Sequence, residues 1–594
     1  MDILNVILGG INSILWHNYV LYIVLGTGVL FTIWSAFSQY RALTHGSSVI
    51  RGKYDDKNDP GAINHFQALS TALSATVGLG NIGGVALAIA LGGPGAVFWM
   101  WIIGIFGMAL KTTEVTLSML YRNTDDPENP HGGPMWVAKE GFKRLGFAGL
   151  GTVVGGIFCI TLIISAITGG NMFQAWNVAE ITATYFPTVP KPFVGILLAV
   201  IVGAVIIGGI KRIGAVAGRL VPFMCGLYLL AAILVVVMNL GEVPNMLRLI
   251  FTSAFSTAEA GGAFLGGTAG FAFLWGMKRA LFSSEAGQGS APIAHSAAKT
   301  DEPVREGVVA GLEPFIDTLV VCTLTTLVIL LSGAWNRGPE ALFTVPEQVR
   351  IVAAEGENKW TLETSALPAK TAEAKRILSV QTGPGWRVNE TVFMVVQADL
   401  NDNTETNLIR VGGSVVPDEN ESWNVKWNTF DSSVEPSLRV LPDGSPDLGV
   451  YGDYVGAALT GHAFDRVMPG LGMWLVTIAC WLFAISTMIS WGYYGEQGVI
   501  YLLGKEAVLF YKLTYCMLII IATLGFIKTD EQLDEWTALG TGVMLFANIP
   551  IMLIFGAQAM RAYHDYIHRL KTGKMDPPHA APKLTDVIEG RDVQ

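Results

Sequence analysis

Apolar runs of roughly 20 residues, the length that crosses a bilayer, alternate along the chain with short polar connections. Eleven stand out, at about 17–38, 68–91, 96–120, 151–176, 193–210, 219–240, 263–284, 308–333, 468–493, 508–526 and 536–558. One long polar stretch, residues ~335–450, interrupts them. The second run differs from the rest, because its middle reads Val77-Gly78-Leu79-Gly80-Asn81-Ile82-Gly83-Gly84. Each glycine weakens a helix by roughly 1 kcal/mol relative to alanine. Unwound backbone survives in hydrocarbon only where protein or a polar cavity satisfies it. A break at that depth with an Asn inside it points to a ligand site. Small residues for close helix packing are the competing reading.

Basic residues sort between the connections. Arg41, Arg51, Lys53 and Lys57 follow the first run, and Arg122, Lys139, Lys143 and Arg144 the third. Lys211, Arg212 and Arg219 follow the fifth, Lys278, Arg279, Lys299 and Arg305 the seventh, and Arg561, Arg569, Lys571 and Lys574 the last. By the positive-inside rule the N-terminus is outside and the C-terminus cytoplasmic. Met1 to Trp16 has no basic start, so no cleavable signal is expected.

Setting the first run aside leaves ten, which divide five and five. A counterpart to the first break lies at 266–288, where Gly270 and Gly276 interrupt an apolar run that holds Phe271, Phe273 and Trp275. Glycine-interrupted spans at matching places in two oppositely oriented halves point to an inverted-repeat transporter with its site at the midplane. The expected fold class is therefore an all-α polytopic membrane protein. It would have a 5+5 inverted-repeat core with broken first and sixth core helices, one extra N-terminal helix and a small β-rich outer insertion.

Within the insertion, Val349–Val352, Thr391–Val396 and Trp423–Trp427 read as strands, separated by Gly383-Pro384-Gly385 and Asp443-Gly444-Ser445-Pro446. A passive insertion is the favoured reading over a capping or regulatory module. Asn389-Glu390-Thr391 and Asn420-Glu421-Ser422 match the glycosylation acceptor pattern. The expected divisions are 1–40, the extra helix; 64–262, the first repeat; 263–334, the start of the second; 335–450, the insertion; 451–560, the remainder; and 561–594, a cytoplasmic tail.

Composition agrees with this picture. Of 594 residues 51% are hydrophobic and 14% charged, with mean hydropathy +0.46, against ~25% charge in soluble domains. The net charge of −10 is no nucleic-acid signal. All five cysteines lie in apolar runs, which suggests neither a disulfide framework nor a metal centre.

Some polar residues within the runs could carry chemistry. A sodium ion needs a shell of oxygens, which unwound carbonyls supply in transporters, and those around Ser74 and Val77 precede the glycine run. Ser486, Thr487 and Ser490 add hydroxyls, although hydroxyls in membrane helices commonly bond back one turn. An α-amino acid carboxylate suits the amides of Gly78, Gly80 and residues up to Ile82, at a half-helix N-terminus. Asn81 lies among them. Gln174 could accept from the ammonium, and Trp275 could wall a small pocket. Among intramembrane charges, Lys111 and Glu114 could pair. Glu313 and Asp317 share a face and need a cation, a proton or a lysine between them. Lys278 and Arg279, near the inner end of the second broken span, are expected to snorkel to the interface, with Glu285 close by.

The stretch Gly92-Gly93-Pro94-Gly95-Ala96-Val97-Phe98-Trp99-Met100-Trp101 closely resembles the signature of the sodium:alanine/glycine symporters. His65–Leu69, Gly80–Ala86, Lys278–Gly287 and Trp491–Glu496 look like further blocks of that family. The resemblance implies sodium-driven symport of a small neutral amino acid, alanine or glycine, across the cytoplasmic membrane. Carried over by position, it implies substrate contacts at Thr76, Gly78, Gly80, Asn81, Gln174 and Trp275. It implies sodium ligands at Ser74, Val77, Ala484 and Thr487. Sodium, the amino acid and the lipid bilayer are the expected partners, with no cofactor and no nucleic acid. Leu79, where the family often has a smaller or hydroxylated residue, and Gly104, where its signature usually has Ser, Thr, Ala or Val, depart from the pattern. A proton-coupled or sodium-independent carrier is the near alternative, and a membrane sensor the distant one. No nucleophile–base or metal-ligand spacing suggests an enzyme.

Overall fold

The computed structural model describes residues 2–56, 58–186, 188–255, 269–378, 385–401, 406–418, 422–454, 456–526, 531–575 and 581–591. Seven helices among the described residues, from Ile7–Trp34 to Glu535–Lys571, are long and apolar enough to cross a membrane. The pair His65–Thr76 and Gly80–Gly92 forms a further span bent by 52°. Three shorter helices, Lys191–Ile206, Ala269–Ser284 and Val508–Ala522, bring the total to eleven and coincide with the remaining apolar runs. The protein is a multi-pass membrane protein. Residues 263–268 of the seventh run, Gly383-Pro384 and Asn420 lie outside the described residues.

The first broken span has sharp local causes. Asn64 caps its N-terminus: the side chain accepts from the Gln67 amide at 2.8 Å, and Gln67 Oε1 accepts from the Asn64 amide at 3.2 Å. At the other end Val77 leaves the helix with ψ 92°, and a π-helical turn, Gly80–Gly84, follows before the helix resumes at Val85. Two more π segments, Thr168–Met172 and Phe315–Cys322, occur in the fourth and eighth spans. Such segments are wider than an α-helix and frequently mark functional positions.

The second break is not where the glycines suggested. Helix Ala269–Ser284 runs through Gly270 and Gly276 without interruption. Gly276 serves close approach instead, since a Cβ there would lie 2.2 Å from the Ala96 carbonyl oxygen and 2.8 Å from Trp99 Cβ. The helix ends at Ser284, and the chain turns at Glu285, Gly287 and Gly289, with φ of 52°, 81° and 82°, before the short helix Ala291–His295. Left-handed backbone costs a non-glycine residue such as Glu285 roughly 1–2 kcal/mol. The later break also moves Lys278 and Arg279: both precede it, and Arg279 lines an internal cavity rather than reaching the inner interface.

The polar stretch forms two antiparallel sheets. Strands Ala341–Leu342, Gly449–Gly452, Thr391–Asn401, Thr406–Pro417 and Trp423–Trp427 lie in that order, with Ser437–Leu438 beside the third. Val349–Ala353, Lys359–Thr364 and Phe430–Asp431 form the other sheet. In Thr391–Asn401 the alternation is strict. Val392, Met394 and Val396 enter the main β core, and Phe393 and Val395 a smaller cluster with Tyr451 on the opposite side. The stretch leaves the membrane part after Leu331 and returns through helix Ala457–Val467, whose Thr460 hydroxyl donates to the Ile82 carbonyl at 2.9 Å in the first break.

Candidate functional site

A cavity of about 260 Å³ opens where the two broken spans meet the fourth, ninth and eleventh. Thr76, Gly78 and Gly80 line it from the first break, Gly170 from within the fourth span's π segment and Gln174 from just beyond it. Thr487 and Trp491 contribute from Leu471–Leu503, and Thr537 and Thr541 from Glu531–Lys571. Glu285 and Gln288, from the second break, add to the polar lining together with Arg279, and Ser165 and Asn177 add to it from the fourth span.

Hydrogen bonds separate these groups by role. At the end of the first half-helix the Gly78 amide donates to Asn81 Oδ1 at 2.9 Å, so it does not return to the Ser74 carbonyl one turn back. That carbonyl faces Ser486 Oγ at 3.4 Å, and the Ser74 hydroxyl donates to the Ser486 carbonyl at 2.6 Å. Ser486 Oγ also bonds back to Phe483 O at 2.8 Å, as membrane-helix hydroxyls often do, whereas Ser490 Oγ crosses to Thr71 O at 2.8 Å. Thr487 does neither. Its Oγ1 is buried without a hydrogen-bond partner among the described residues, 2.8 Å from where a Cβ on Gly78 would stand. Val77 and Ala484 are fully buried beside this contact, in the two helices that make it.

Gln174 has a similar residue of unused capacity. Its Nε2 donates to the Gly169 carbonyl at 3.0 Å, while its Oε1, also buried, has no partner among the described residues. Asn81 and Trp275, by contrast, do not line the cavity. Asn81 turns toward the second half of the core, donating to Ser283 Oγ at 3.0 Å and to Asp317. Asp317 in turn accepts from Ser283 at 2.7 Å and Thr318 at 2.8 Å. Asn81 thereby ties the first break to the second broken helix and to the π segment Phe315–Cys322. Trp275 borders a separate cavity of about 190 Å³, next to the N-terminal helix.

Beneath the site runs a buried chain of charges. Lys111 Nζ lies 3.1 Å from Glu313 and 3.9 Å from Glu114, so the lysine joins Glu313 to Glu114, whereas Asp317 is met by Ser283, Thr318 and Asn81. His295 bridges Glu313 and Glu306, each at 2.5 Å, and Glu306 also pairs with His65. Glu114 accepts from Asn548 at 2.8 Å and from the Gly289 amide at 3.2 Å, within the second break. Polar lining residues that sequence reasoning left out of the site include Ser165, Asn177, Arg279, Glu285, Gln288, Thr537 and Thr541. Glu285 and Gln288 had a signal, a carboxylate and an amide among closely spaced glycines. Thr537 and Thr541 are single hydroxyls on a long helix and had none.

Known proteins match this chain over most of its length. A model described as the sodium:alanine symporter family matches residues 1–350 and 447–580, leaving out most of the β insertion. The chain is 34% identical to the sodium/alanine symporter AgcS of Methanococcus maripaludis, over 85% of each chain. It is 30% identical to the Bacillus subtilis putative sodium/proton-dependent alanine carrier protein YrbD, over 96% of this chain and 93% of that one. The B. subtilis probable sodium/glutamine symporter GlnT is 36% identical over 56% of this chain and 67% of its own. Among solved structures, a manganese transporter from Eremococcus coleocola aligns over 85% of this chain and 84% of that one at 12% identity, with a TM-score of 0.42.

Proposed function

The chain belongs to the sodium:alanine symporter family, a family of transporters and not of enzymes, and on that premise we propose that it carries a small neutral amino acid, alanine or glycine, into the cell together with sodium. The observation that carries this reading is the Thr487 hydroxyl. It is buried without a partner among the described residues where the first half-helix ends, at the edge of a cavity flanked by two interrupted spans. Leaving a buried hydroxyl unsatisfied costs about 1–3 kcal/mol, and a hard cation sharing it with the Ser74 carbonyl would recover that loss. In this reading the carbonyls of Val77 and Ala484 complete the sodium shell.

For the amino acid, the Gly80 amide at the start of the π-helical turn suits the carboxylate, and Gln174 Oε1 suits the ammonium. Gly78 contributes close approach, because its amide is already engaged by Asn81. Thr76 lines the same wall. Asn81 acts through Gly78 and Asp317 instead of touching the substrate, and Trp275 stands outside the central site. Sodium would join the half-helix end to the ninth span and so preform the substrate pocket, a coupling of typically 1–3 kcal/mol that is reciprocal. The basic connections support an N-terminus outside and a cytoplasmic C-terminus in the cytoplasmic membrane.

Uptake of labelled alanine, glycine and glutamine into proteoliposomes, under inward gradients of sodium, lithium or protons, tests the proposal. Alanine or glycine accumulation that requires sodium supports it. Uptake indifferent to sodium overturns it.

A further inference from the structure

We infer that the chain holds a second amino-acid site, in the cavity of about 190 Å³ between the N-terminal helix, the second broken helix and the last span. The inference rests on the amino-acid reading proposed above. The lining is matched to a zwitterion. Lys278 and Arg279 face the cavity from Ala269–Ser284, Glu535 from Glu531–Lys571, and Asn12 from Asp2–Leu15. A carboxylate needs cationic donors and an ammonium needs acceptors, and here each is supplied by a different helix. A simple cation would meet Lys278 and Arg279, and a simple anion would meet Glu535.

The acceptor side is prepared. Asn12 Nδ2 is committed to the backbone carbonyl of Glu535 at 2.9 Å, and Asn12 Oδ1 is buried without a hydrogen-bond partner among the described residues. Such an oxygen is normally satisfied, and an ammonium would satisfy it. The remaining walls are held in place. Trp16 donates to the Ala538 carbonyl at 3.0 Å and stacks on Phe282 with centroids 4.8 Å apart. The volume equals that of about six waters at ~30 Å³ each, which is ample for alanine or glycine.

This cavity is not independent of the central one. Arg279 and Phe282 line both, so filling either changes a wall of the other, and linkage makes the effect mutual. The N-terminal helix, which adds nothing to the central cavity, thereby gains a role: it closes a site from which the amino acid modulates its own binding next door.

Equilibrium binding of labelled alanine to the purified full chain, in nanodiscs made without amine-headgroup lipids and with saturating sodium, distinguishes the cases. Two equivalents per chain are expected for the native protein. The double variant Asn12→Leu, Glu535→Gln should bind one, and Gln174→Ala, which disables the central site, should retain one. Lys278→Met, checked by gel filtration for a monodisperse peak, provides a second variant of the outer lining and should also bind one. A native stoichiometry of one overturns the second site and leaves the central reading standing, whereas zero overturns the amino-acid reading itself. Two equivalents persisting in both lining variants overturn the location.

Discussion

Thr487 and Ser490 sit one turn apart on the same face of the ninth span, and substituting each separates a ligand hydroxyl from a structural one. Thr487→Val keeps the shape and removes a hydroxyl that has no protein partner among the described residues. No protein hydrogen bond is lost, and a buried unsatisfied group is replaced by an apolar one, a change that is near neutral or stabilising without sodium. Hydrogen bonds and contacts involving a charged partner are worth about 1.5–3 kcal/mol, so losing this oxygen should weaken sodium binding by about 10- to 150-fold, at 1.4 kcal/mol per tenfold. Ser490→Ala instead removes the 2.8 Å bond to the Thr71 carbonyl, which predicts about 1 kcal/mol of lost stability and little change in sodium dependence. The assay is thermal unfolding of the purified protein across a sodium titration, where a ligand that binds the folded state raises the midpoint by mass action. Half-saturation of alanine uptake by sodium is measured alongside it. Thr487→Val should melt like the native protein at zero sodium and lose most of the sodium-induced shift. If it melts markedly lower without sodium, or keeps the full shift, the hydroxyl is structural and the reasoning fails.

Other outcomes follow from single contacts. Glu306→Gln breaks two buried histidine pairs and should cost about 3–5 kcal/mol, seen as a lower unfolding midpoint that added sodium does not restore. Gly276→Ala places a methyl 2.2 Å from the Ala96 carbonyl oxygen, so overpacking of about 1–3 kcal/mol should be measurable in the same melt. In the β insertion, burial holds the Glu390 carboxyl above the ordinary carboxylate range despite Lys370 beside it. Its folded value being raised, the stability it contributes is full at low pH and lost as pH rises through that value; Glu390→Gln should flatten this part of the pH profile of the insertion's unfolding. Leu342 and Gly449 are cross-strand partners, so replacing residues 343–448 by a two-residue turn should leave sodium-driven uptake intact, and loss of uptake or of folding would refute a passive insertion.

How much of this was legible in the sequence depended on whether a residue's task is local. The apolar runs and the strand alternation of Thr391–Val396 are local and appear where the pattern puts them. So does the first break, since four glycines in a short stretch defeat a helix whatever surrounds it. The second break was displaced because glycine has two uses. Gly276 is there for a neighbour's carbonyl, which only the folded structure supplies, whereas Gly287 and Gly289 are there for left-handed backbone. Glu285, left-handed too, carries no sequence sign of it. The two candidate amides diverged for the same reason. Gln174 and Asn81 both look like polar intrusions, yet Asn81 accepts from the nearby Gly78 amide and donates to groups more than two hundred residues away, whereas Gln174 keeps one oxygen without a partner among the described residues.

The charged chain below the cavity adds a constraint that neither break shows alone. His65 opens the half-helix before the first break, and His295 closes the short helix after the second. Both bond the same carboxylate, Glu306, on the eighth span, and His295 also holds Glu313, itself paired with Lys111 of the third. All of these side chains are essentially excluded from solvent. If one half-helix swung away alone, it would leave Glu306 with one partner in a medium where an uncompensated charge costs several kcal/mol. If both moved together with the eighth span, both histidine pairs of Glu306 would survive. The cheaper rearrangement is therefore one in which the two half-helices and the first turns of Pro303–Leu331 move as a unit against Gly95–Tyr121. The polar contacts that must then yield include the 3.1 Å pair between Lys111 and Glu313 and the 2.7 Å bond between Ser118 and Ser296.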